Sequence, residues 1–296
     1  MKIGIVGGGA IGLLVAAYLG KEHEVTVYTR RSLQAKRLKN EGLRLEKKGE
    51  TTCISVQAAP LAEAAIDDDI VFITVKQYDL AAVLDRKDRF RCVQAVVFLQ
   101  NGMGHVEKLA AFSEKNVIVG VVEHGAIKRD DRTVEHTGIG KIVLASFYGT
   151  LQDVMPLAAR CIPDFPFEIT DDWEQMLVKK LIVNAVINPL TALLRVPNGK
   201  LLQVAPYYEM MKLLFSELQQ VLPIKDGEAA WKHIVSICQK TAENYSSMYM
   251  DVTQQRKTEV DAILGYVLKK GAKLGLSLPL VQFLFYAIKG MEEGGE

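Results

Sequence analysis

The amino-terminal stretch KIGIVGGGAIG constrains the fold more than any other part of the sequence. It contains the pattern G-x-G-x-x-G as Gly7, Gly9 and Gly12, directly after a strand-like run and at the start of a helical stretch. The first glycine allows a tight turn, the second lets the backbone approach a pyrophosphate, and the third lets the helix pack closely on the strand. The helix N-terminus, at Ala10 and Ile11, adds N–H groups that favour phosphate. We therefore expect a dinucleotide-binding unit, with a simple tight turn as the alternative.

The strand that returns after this helix, EVTVYT, ends in Thr29, Arg30 and Arg31 and carries no acid at its end. A carboxylate at this place would accept the ribose 2′-hydroxyl of NAD, but it would repel a 2′-phosphate. A guanidinium can bind a phosphate through two parallel hydrogen bonds. The sequence therefore favours NADPH/NADP⁺ as the cofactor, with Arg30 as a binding residue. The alternative is that both arginines only solvate the start of a helix.

Two later strand-like runs, DIVFITV and QAVVFLQ, are apolar on both faces, which is typical of a parallel sheet covered by helices. Lys76 and Asn101 follow their carboxyl ends, where ligands bind in open α/β sheets. We expect both residues to contact the cofactor or a substrate, although each could simply be a polar residue at a strand end. NVIVGVV, TVEHTG and KIVLAS are predicted as further strands, the last two with the alternation of a hairpin.

The character of the sequence changes near residue 170. Prolines and acids in PDFPFEITDD end the strand-like pattern, and the later segments have helical periodicity interrupted by Pro, Gly and Asn. A chain of 296 residues is long enough for two hydrophobic cores. We therefore predict an α/β fold, with a Rossmann-type parallel-sheet domain over residues 1–169 and an all-helical domain over residues 170–296. The acidic end MEEGGE is expected to fray.

Composition argues against several other classes of protein. The formal net charge is +1, so no overall charge attracts nucleic acid or an acidic membrane. We expect no membrane span, because no uncharged apolar run approaches the roughly 20 residues that a bilayer requires, and no signal peptide in MKIGIVGGGA. The five histidines lack metal-ligand spacing, so no metal site is expected. We expect a cytoplasmic protein with four reduced thiols: Cys53, Cys92, Cys161 and Cys238.

The apolar stretch KKLIVNAVINPLTALL carries three polar side chains at intervals of four residues, Lys180, Asn184 and Asn188. On a helix they lie on one face. Burying a charge and two amides costs free energy unless they find partners, which could be other protein groups or a ligand. Asn188 has a further alternative, because Pro189 follows it and suits the first position of a new helix. Asn188 could therefore be the N-cap of that helix.

Six stretches occur in order along nearly the full chain: GGGAIG, TVKQYD, LQNGMG, HGA at residues 124–126, KLIVNAVINPLTA and SSMYMDVTQQRKTEVDAILGYV. With them the chain resembles the ketopantoate reductase (2-dehydropantoate 2-reductase) family, and the last two are far more specific than the glycine pattern. The resemblance implies an NADP-binding Rossmann domain followed by a helical domain like that of 6-phosphogluconate dehydrogenase. It also implies an oxidoreductase that reduces 2-dehydropantoate to (R)-pantoate with NADPH, a step toward pantothenate and coenzyme A.

The resemblance also implies roles for particular residues. Lys180 would be the general acid that protonates the ketone oxygen after hydride transfer, a role that an ammonium can fill. Glu259 would be a second catalytic group, a carboxylate that orients the substrate and contacts the cofactor. The polar groups around the substrate would be Asn101, which also contacts the cofactor, Asn184, Asn188 and Ser247.

Ser247 and Glu259 impose a geometric condition. In one continuous helix, the twelve residues between them would span about 18 Å, too far for one small substrate to bridge. The chain must therefore break between them, and Asp251 offers a stop and a new N-cap. Each residue also has an alternative, which is a helix-cap hydroxyl for Ser247 and a surface carboxylate paired with Arg256 or Lys257 for Glu259.

Two other functions are compatible with the sequence. One is an NADPH-dependent reductase of another branched 2-keto acid, which would differ in the shape of its pocket. The other is a regulator that binds NADPH without turnover; Lys180, Asn184 and Glu259 argue against it, because a sensor needs no acid. The apolar stretch PLVQFLFYAIKGM could form a homodimer interface or complete the helical core. Besides a small-molecule substrate, we expect no nucleic-acid or membrane partner.

Overall fold

The computed structural model describes residues 1–112 and 115–294. The chain divides into two compact units. The first comprises Met1–Gln100 and Glu107–Trp173, and the second comprises Asn101–Val106 and Glu174–Glu296. The predicted domain boundary after residue 169 lies four residues before the end of the first unit at 173. The short segment 101–106 belongs to the second unit, whereas the sequence predicted it as part of the first domain.

Within the described residues, the first unit contains two β-sheets. The strands along the chain are β1 (Lys2–Val6), β2 (Glu24–Thr29), β3 (Leu43–Lys47), β4 (Glu50–Ile54), β5 (Gln57–Pro60), β6 (Ile70–Ile73), β7 (Ala95–Phe98), β8 (Asn116–Val122), β9 (Gly125–Lys128), β10 (Thr133–Gly138), β11 (Ile142–Tyr148) and β12 (Phe167–Ile169). The larger sheet has the order β12-β11-β8-β7-β6-β1-β2-β5, and the smaller has the order β4-β3-β10-β9. Among the described strands of the larger sheet, only the pair β8–β11 is antiparallel.

The larger sheet confirms the predicted α/β fold. Every residue of β6 and β7 is buried, as expected for parallel strands covered on both faces. β1 lies between β2 and β6, with Val6 opposite Tyr28 on one side and Ile73 on the other. The carboxyl ends of these three strands therefore lie side by side. The strand order reverses at β1, and ligands bind at such a reversal in open α/β sheets.

The smaller sheet corrects one expectation. The predicted strands TVEHTG and KIVLAS are present as β10 and β11, but they do not pair with each other. β10 pairs with β9 and β3, whereas β11 pairs with β8 and β12 in the larger sheet. The predicted hairpin is therefore wrong. Alternation of apolar and polar residues shows that a strand has one buried face, but it does not specify the partner strand.

The helices of the first unit are α1 (Ala10–Leu19), α2 (Ser32–Glu41), α3 (Leu80–Leu84) and α4 (Met155–Ala159), and short 3₁₀ turns cover Gln77–Asp79, Lys87–Phe90 and Val106–Phe112. α1 contacts β1 and β2 of the larger sheet as well as β3, β9 and β10 of the smaller one. The hydroxyl of Tyr18 lies 2.7 Å from Nδ1 of His136, and its ring stacks on Phe165 at a centroid distance of 4.4 Å. His124 stacks on the same phenylalanine, and burial together with His136 lowers its pKa to about 4.

The second unit is helical in its described part. Its helices are α5 (Trp173–Leu194), α6 (Lys200–Gln203), α7 (Ala205–Val221), α8 (Gly227–Lys240), α9 (Ser247–Thr253), α10 (Val260–Lys273) and α11 (Pro279–Glu293). α5 is long and apolar enough to cross a bilayer by length and composition, but 78% of its most apolar window is buried inside the protein. Burial of this kind is typical of a core helix.

α5 continues through Pro189, which lies inside the helix. The alternative that Asn188 caps a new helix is therefore wrong, since Asn188 is an interior residue of α5. At the other end of the unit, α11 includes Met291, Glu292 and Glu293, so the expectation that MEEGGE frays is wrong for these residues. The last two residues of that stretch lie outside the described part of the chain.

The four cysteines are unequally distributed between the units. Cys53, Cys92 and Cys161 are exposed thiols of the first unit. Cys238 is buried on α8 in the second unit. Burial raises the pKa of the Cys238 thiol to about 12, so at neutral pH this group is protonated and unreactive.

Candidate active site

The glycine turn between β1 and α1 has the geometry that its sequence predicts. Gly7 has a φ of 122°, a left-handed conformation that favours glycine, and its N–H donates to the carbonyl of Tyr28 at 2.9 Å. A Cβ at Gly12 would overlap the carbonyl oxygen of Gly7, so only glycine permits this approach of helix to turn. A Cβ at Gly9 would meet nothing within 4 Å. The backbone at Gly9 is therefore open to a ligand.

Thr74, which follows β6, holds the turn from the neighbouring strand. Its hydroxyl lies 3.1 Å from the carbonyl oxygens of both Val6 and Gly7. α1 begins at Ala10 with Gly9 as its N-cap, and no side chain caps it. The N–H groups of its first turn and the open space at Gly9 fit the pyrophosphate of a dinucleotide.

Two side chains that no sequence pattern predicted hold the same turn. Gln34 of α2 donates to the carbonyl of Gly8 at 2.8 Å and to the carbonyl of Asp131 at 2.9 Å. Lys128 of β9 donates to the Gly8 carbonyl at 3.0 Å and forms an ion pair with Asp131 at 3.4 Å. Burial lowers the pKa of Lys128, and Asp131 opposes this effect. No local pattern identifies these residues, because they are 26 and 120 residues from Gly8 in the sequence.

The two arginines after β2 have different surroundings. Arg31 forms an ion pair with Asp131. Arg30 is 84% exposed in its side chain, and its guanidinium lies 3.5 Å from Asp79. Asp79 in turn donates its N–H to the carbonyl of Lys76 at 2.9 Å, so Arg30 contacts the turn that carries Lys76. Of the two guanidiniums, that of Arg30 is the one largely available to a phosphate.

In the second unit, Asn101 and Glu259 lie in direct contact. Nδ2 of Asn101 donates to Oε2 of Glu259 at 2.9 Å, and Glu259 is only 9% exposed. The glycine after Asn101 has a φ of 76°, and the next residue donates its N–H to the carbonyl of Ala262 at 3.3 Å. The segment 101–106 therefore packs on α10. The burial of Glu259 contradicts the alternative that it is a surface carboxylate, and Arg256 pairs with Asp251 at 2.9 Å.

One face of α5 carries the three polar residues that the sequence places there. Lys180 is partly buried, and Asn184 and Asn188 each retain 8% exposure. One turn after Asn188, the hydroxyl of Thr191 lies 2.8 Å from the hydroxyl of Ser246. This hydrogen bond joins the carboxyl-terminal half of α5 to the start of α9.

Ser246 is also the N-cap of α9, since its hydroxyl accepts the N–H of Tyr249 at 3.1 Å. The cap that the sequence analysis offered as an alternative for Ser247 therefore belongs to Ser246, and Ser247 is the exposed first residue of the helix. α9 ends at Thr253, and α10 begins at Val260. The chain thus breaks between Ser247 and Glu259, although Asp251 lies inside α9 and is not the new N-cap.

Each unit therefore contains its own group of predicted site residues. The first unit contains the residues that were predicted to bind only the dinucleotide. The second unit contains the residues that were predicted to bind the substrate or transfer the proton. Two of these, Asn101 and Glu259, were also predicted to contact the cofactor. The first group is Gly7, Gly9, Ala10, Ile11, Gly12, Arg30 and Lys76. The second group is Asn101, Lys180, Asn184, Asn188, Ser247 and Glu259.

Known proteins with similar sequences include several 2-dehydropantoate 2-reductases. The family model described as "Ketopantoate reductase PanE/ApbA" matches residues 3–149, and the corresponding C-terminal model matches residues 172–292. A 2-dehydropantoate 2-reductase of Bacillus subtilis is 44% identical over 99% of this chain and 98% of its own length. The crystal structure of a probable 2-dehydropantoate 2-reductase of the same organism has a TM-score of 0.91 at 42% identity and covers 98% of this chain and 100% of its own.

A solved ternary structure of D-mandelate dehydrogenase with NADH and anilino(oxo)acetate is also similar. Its TM-score is 0.90, and the similarity covers 99% of both chains. At 23% sequence identity this similarity extends to the fold alone.

Replacing Gly12 with Ala should weaken the binding of a reduced pyridine nucleotide by about tenfold or more, because overpacking at a close contact typically costs about 1–3 kcal/mol and the added methyl group overlaps the Gly7 carbonyl. Titration of the nucleotide's fluorescence measures the dissociation constant. Gly290→Ala is the matched control, because a Cβ there meets nothing within 4 Å. Wild-type affinity in the Gly12→Ala variant would contradict the role of the turn.

Proposed function

The chain belongs to the ketopantoate reductase family, and on this premise we propose that it reduces the C2 ketone of 2-dehydropantoate to (R)-pantoate with NADPH. The observation that carries the proposal is 44% identity to a curated 2-dehydropantoate 2-reductase over nearly the full length of both chains. The pairing of Asn101 with Glu259 and the polar face of α5 supply a set of groups suited to this reaction. The product is a precursor of pantothenate and coenzyme A.

The reaction requires a reduced pyridine nucleotide, which supplies a hydride when it is bound. We propose NADPH because the end of β2 carries Arg30, which is exposed and basic, where an NAD-binding site has an acid. Gly7, Gly9 and Gly12 with the first turn of α1 would hold the pyrophosphate. Lys76 would contact the cofactor near the carboxyl end of β6.

Lys180 would act as the general acid. Addition of a hydride to C2 leaves negative charge on the former ketone oxygen, and this oxygen must receive a proton. The Nζ of Lys180 would donate a hydrogen bond to that oxygen and then transfer the proton, so that C2 gains a hydrogen and the oxygen becomes a hydroxyl. A positioned acid of this kind typically contributes about 10²–10⁴ in rate.

Glu259 and the amides would orient the substrate. The carboxylate of Glu259 would accept the primary hydroxyl of 2-dehydropantoate, and Asn101, which donates to one of its oxygens, fixes the carboxylate in place. Asn184 and Asn188 can both donate and accept hydrogen bonds, which suits the carboxylate and carbonyl oxygens of a 2-keto acid. Ser247, at the exposed start of α9, would add a hydroxyl to this set.

We also propose that the protein is cytoplasmic and forms a homodimer. Its four cysteines are free thiols, which suits a reducing compartment. On α11, the side chains of Phe283 and Tyr286 are exposed, and large apolar side chains of this kind suit a contact with a second copy.

The direct test of the function follows NADPH absorbance with 2-dehydropantoate and with 3,3-dimethyl-2-oxobutanoate, which lacks only the primary hydroxyl. We expect kcat/KM for 2-dehydropantoate to be higher by about 10²-fold or more, because a site built to bind a hydroxyl discriminates against an analogue that lacks it. Equal values would favour a reductase of branched 2-keto acids in general. A chain that binds NADPH but turns over neither compound would be a regulator.

The variant Lys180→Ala should lose about 10²-fold or more in kcat while its dissociation constant for NADPH stays at the wild-type value. Steady-state kinetics and NADPH fluorescence measure the two quantities. Lys179→Ala is the matched control, since it removes an exposed ammonium one residue earlier on the same helix. If kcat of the Lys180→Ala enzyme were close to that of the control, Lys180 would not be the acid.

The variant Arg30→Asp should reduce the preference for NADPH over NADH by roughly 10- to 150-fold, since a charge-assisted hydrogen bond is worth about 1.5–3 kcal/mol. The ratio of kcat/KM for the two cofactors measures this preference. Arg91→Asp, which changes an exposed arginine after a different turn, makes the same charge change and should leave the ratio unaltered. An unchanged ratio in Arg30→Asp would remove this residue from the cofactor site.

A further inference from the structure

Helix α11 makes a buried polar contact with the residue that precedes Glu259. Oε1 of Glu292 accepts the backbone N–H of Thr258 at 2.7 Å and the hydroxyl of Thr258 at 2.5 Å. Thr258 is buried, and the side chain of Glu292 is only 8% exposed. The two hydrogen bonds fix both the backbone and the side chain of Thr258 against α11.

A second contact from the same helix reaches the other side of Glu259. Lys289, one turn before Glu292, places Nζ 2.9 Å from Oε2 of Glu292 and 3.4 Å from Oδ2 of Asp261. The hydroxyl of Thr258 also accepts the N–H of Val260 at 3.1 Å. The residues on both sides of Glu259 are therefore joined to α11, directly or through each other.

Glu259 follows Thr258 directly, at the start of α10. It occupies the N-cap position of α10, but its side chain forms no cap hydrogen bond with the helix. The carboxylate instead accepts the amide of Asn101. The carboxylate is attached to the backbone at residues 258–260, which the contacts with α11 hold.

Glu292 is suited to this task because it remains ionised. Burial by itself would raise the pKa of its carboxyl group, but the hydrogen bonds from Thr258 and Lys289 hold the pKa below its usual value. Both oxygens are then engaged as charged acceptors near neutral pH. Hydrogen bonds to a charged group are stronger than those between neutral groups.

We propose that Glu292 is a positioning residue for Glu259. Acting through Thr258, it sets the place at which the Glu259 carboxylate receives the hydroxyl of the substrate, an inference that rests on the proposed function. α11 contains none of the residues that the sequence predicted for the site, yet it determines substrate affinity through this contact. Because the pyrophosphate of the cofactor is assigned to the glycine turn of the first unit, we expect removal of this contact to affect substrate affinity far more than cofactor affinity.

The first experiment compares Glu292→Ala and Glu292→Gln with Glu293→Ala, which removes the exposed carboxylate next to it. In Glu292→Ala we expect KM for 2-dehydropantoate to rise by about tenfold or more, since charged hydrogen bonds are lost. Glu292→Gln, which keeps an acceptor oxygen, should recover part of the loss. The dissociation constant for NADPH should stay within about twofold in all three variants, and Glu293→Ala should match the wild type in every quantity.

The second experiment combines Glu292→Ala with Glu259→Ala in a double-mutant cycle on KM. If Glu292 acts through Glu259, its removal should have no further effect once Glu259 is alanine. A KM increase of the same factor in both backgrounds would overturn the proposal, and so would a wild-type KM in Glu292→Ala. If Glu292→Ala does not fold, as judged by its thermal transition, the cycle is made with Glu292→Gln and decides the question in the same way.

The outcomes separate this inference from the proposed function. A wild-type chain that does not reduce 2-dehydropantoate, or a Glu259→Ala variant with an unchanged KM, contradicts the proposed function itself. The chain could pass both of these tests while Glu292→Ala leaves KM unchanged, or raises KM by the same factor with Glu259 and with Ala at position 259. Either result contradicts only the role of Glu292. Parallel losses in substrate and NADPH affinity would indicate general loss of structure and would also overturn the positioning role.

Discussion

The approach of α1 to the turn that precedes it is the constraint on which the first unit depends. Gly12 packs so close to the Gly7 carbonyl that any side chain at residue 12 would overlap it, and Thr74 holds the same turn from the adjacent strand. This contact places the N-terminus of α1 beside the carboxyl ends of β1, β2 and β6. Arg30 and Lys76 follow two of these ends, so one local packing requirement brings the residues predicted for the dinucleotide to a common edge.

The second unit depends on a different constraint, because polar side chains in its apolar interior need hydrogen-bond partners. α5 is buried over most of its length, and a charge and two amides on it would be unfavourable without partners. Asn101 and Glu259 show one solution, because the partly buried amide of Asn101 donates to the buried carboxylate of Glu259, 158 residues away. This pair also explains why the short segment 101–106 belongs to the second unit although the strands before and after it belong to the first.

The sequence was sufficient wherever the structure depends on local rules. Local sequence patterns predicted the glycine turn, the buried parallel strands and the change from an α/β part to a helical part. They also predicted that Lys180, Asn184 and Asn188 share one face of a helix. The errors concern choices that local patterns leave open. A proline after Asn188 suggested a helix start, but the tertiary packing of α5 keeps the helix continuous through it. A cap was predicted as an alternative for Ser247, but the adjacent Ser246 accepts the N–H of Tyr249 and contacts Thr191.

The residues that the sequence did not reveal are those whose partners are remote along the chain. Gln34 and Lys128 hold the Gly8 carbonyl from α2 and from the smaller sheet, and Glu292 holds Thr258 from α11. Each is an ordinary polar residue on an ordinary helix or strand. Such residues become identifiable only when the packing of the elements fixes which of them meet.

The distribution of the cysteines has a practical consequence. Because Cys53, Cys92 and Cys161 are exposed and belong to the first unit, a maleimide dye will attach to the half of the chain that carries the glycine turn. Cys238 is buried as a protonated thiol in the other half and will stay unmodified while the protein is folded. A fluorescent label on the native protein is therefore confined to the first unit, and Cys238 of the second unit need not be replaced.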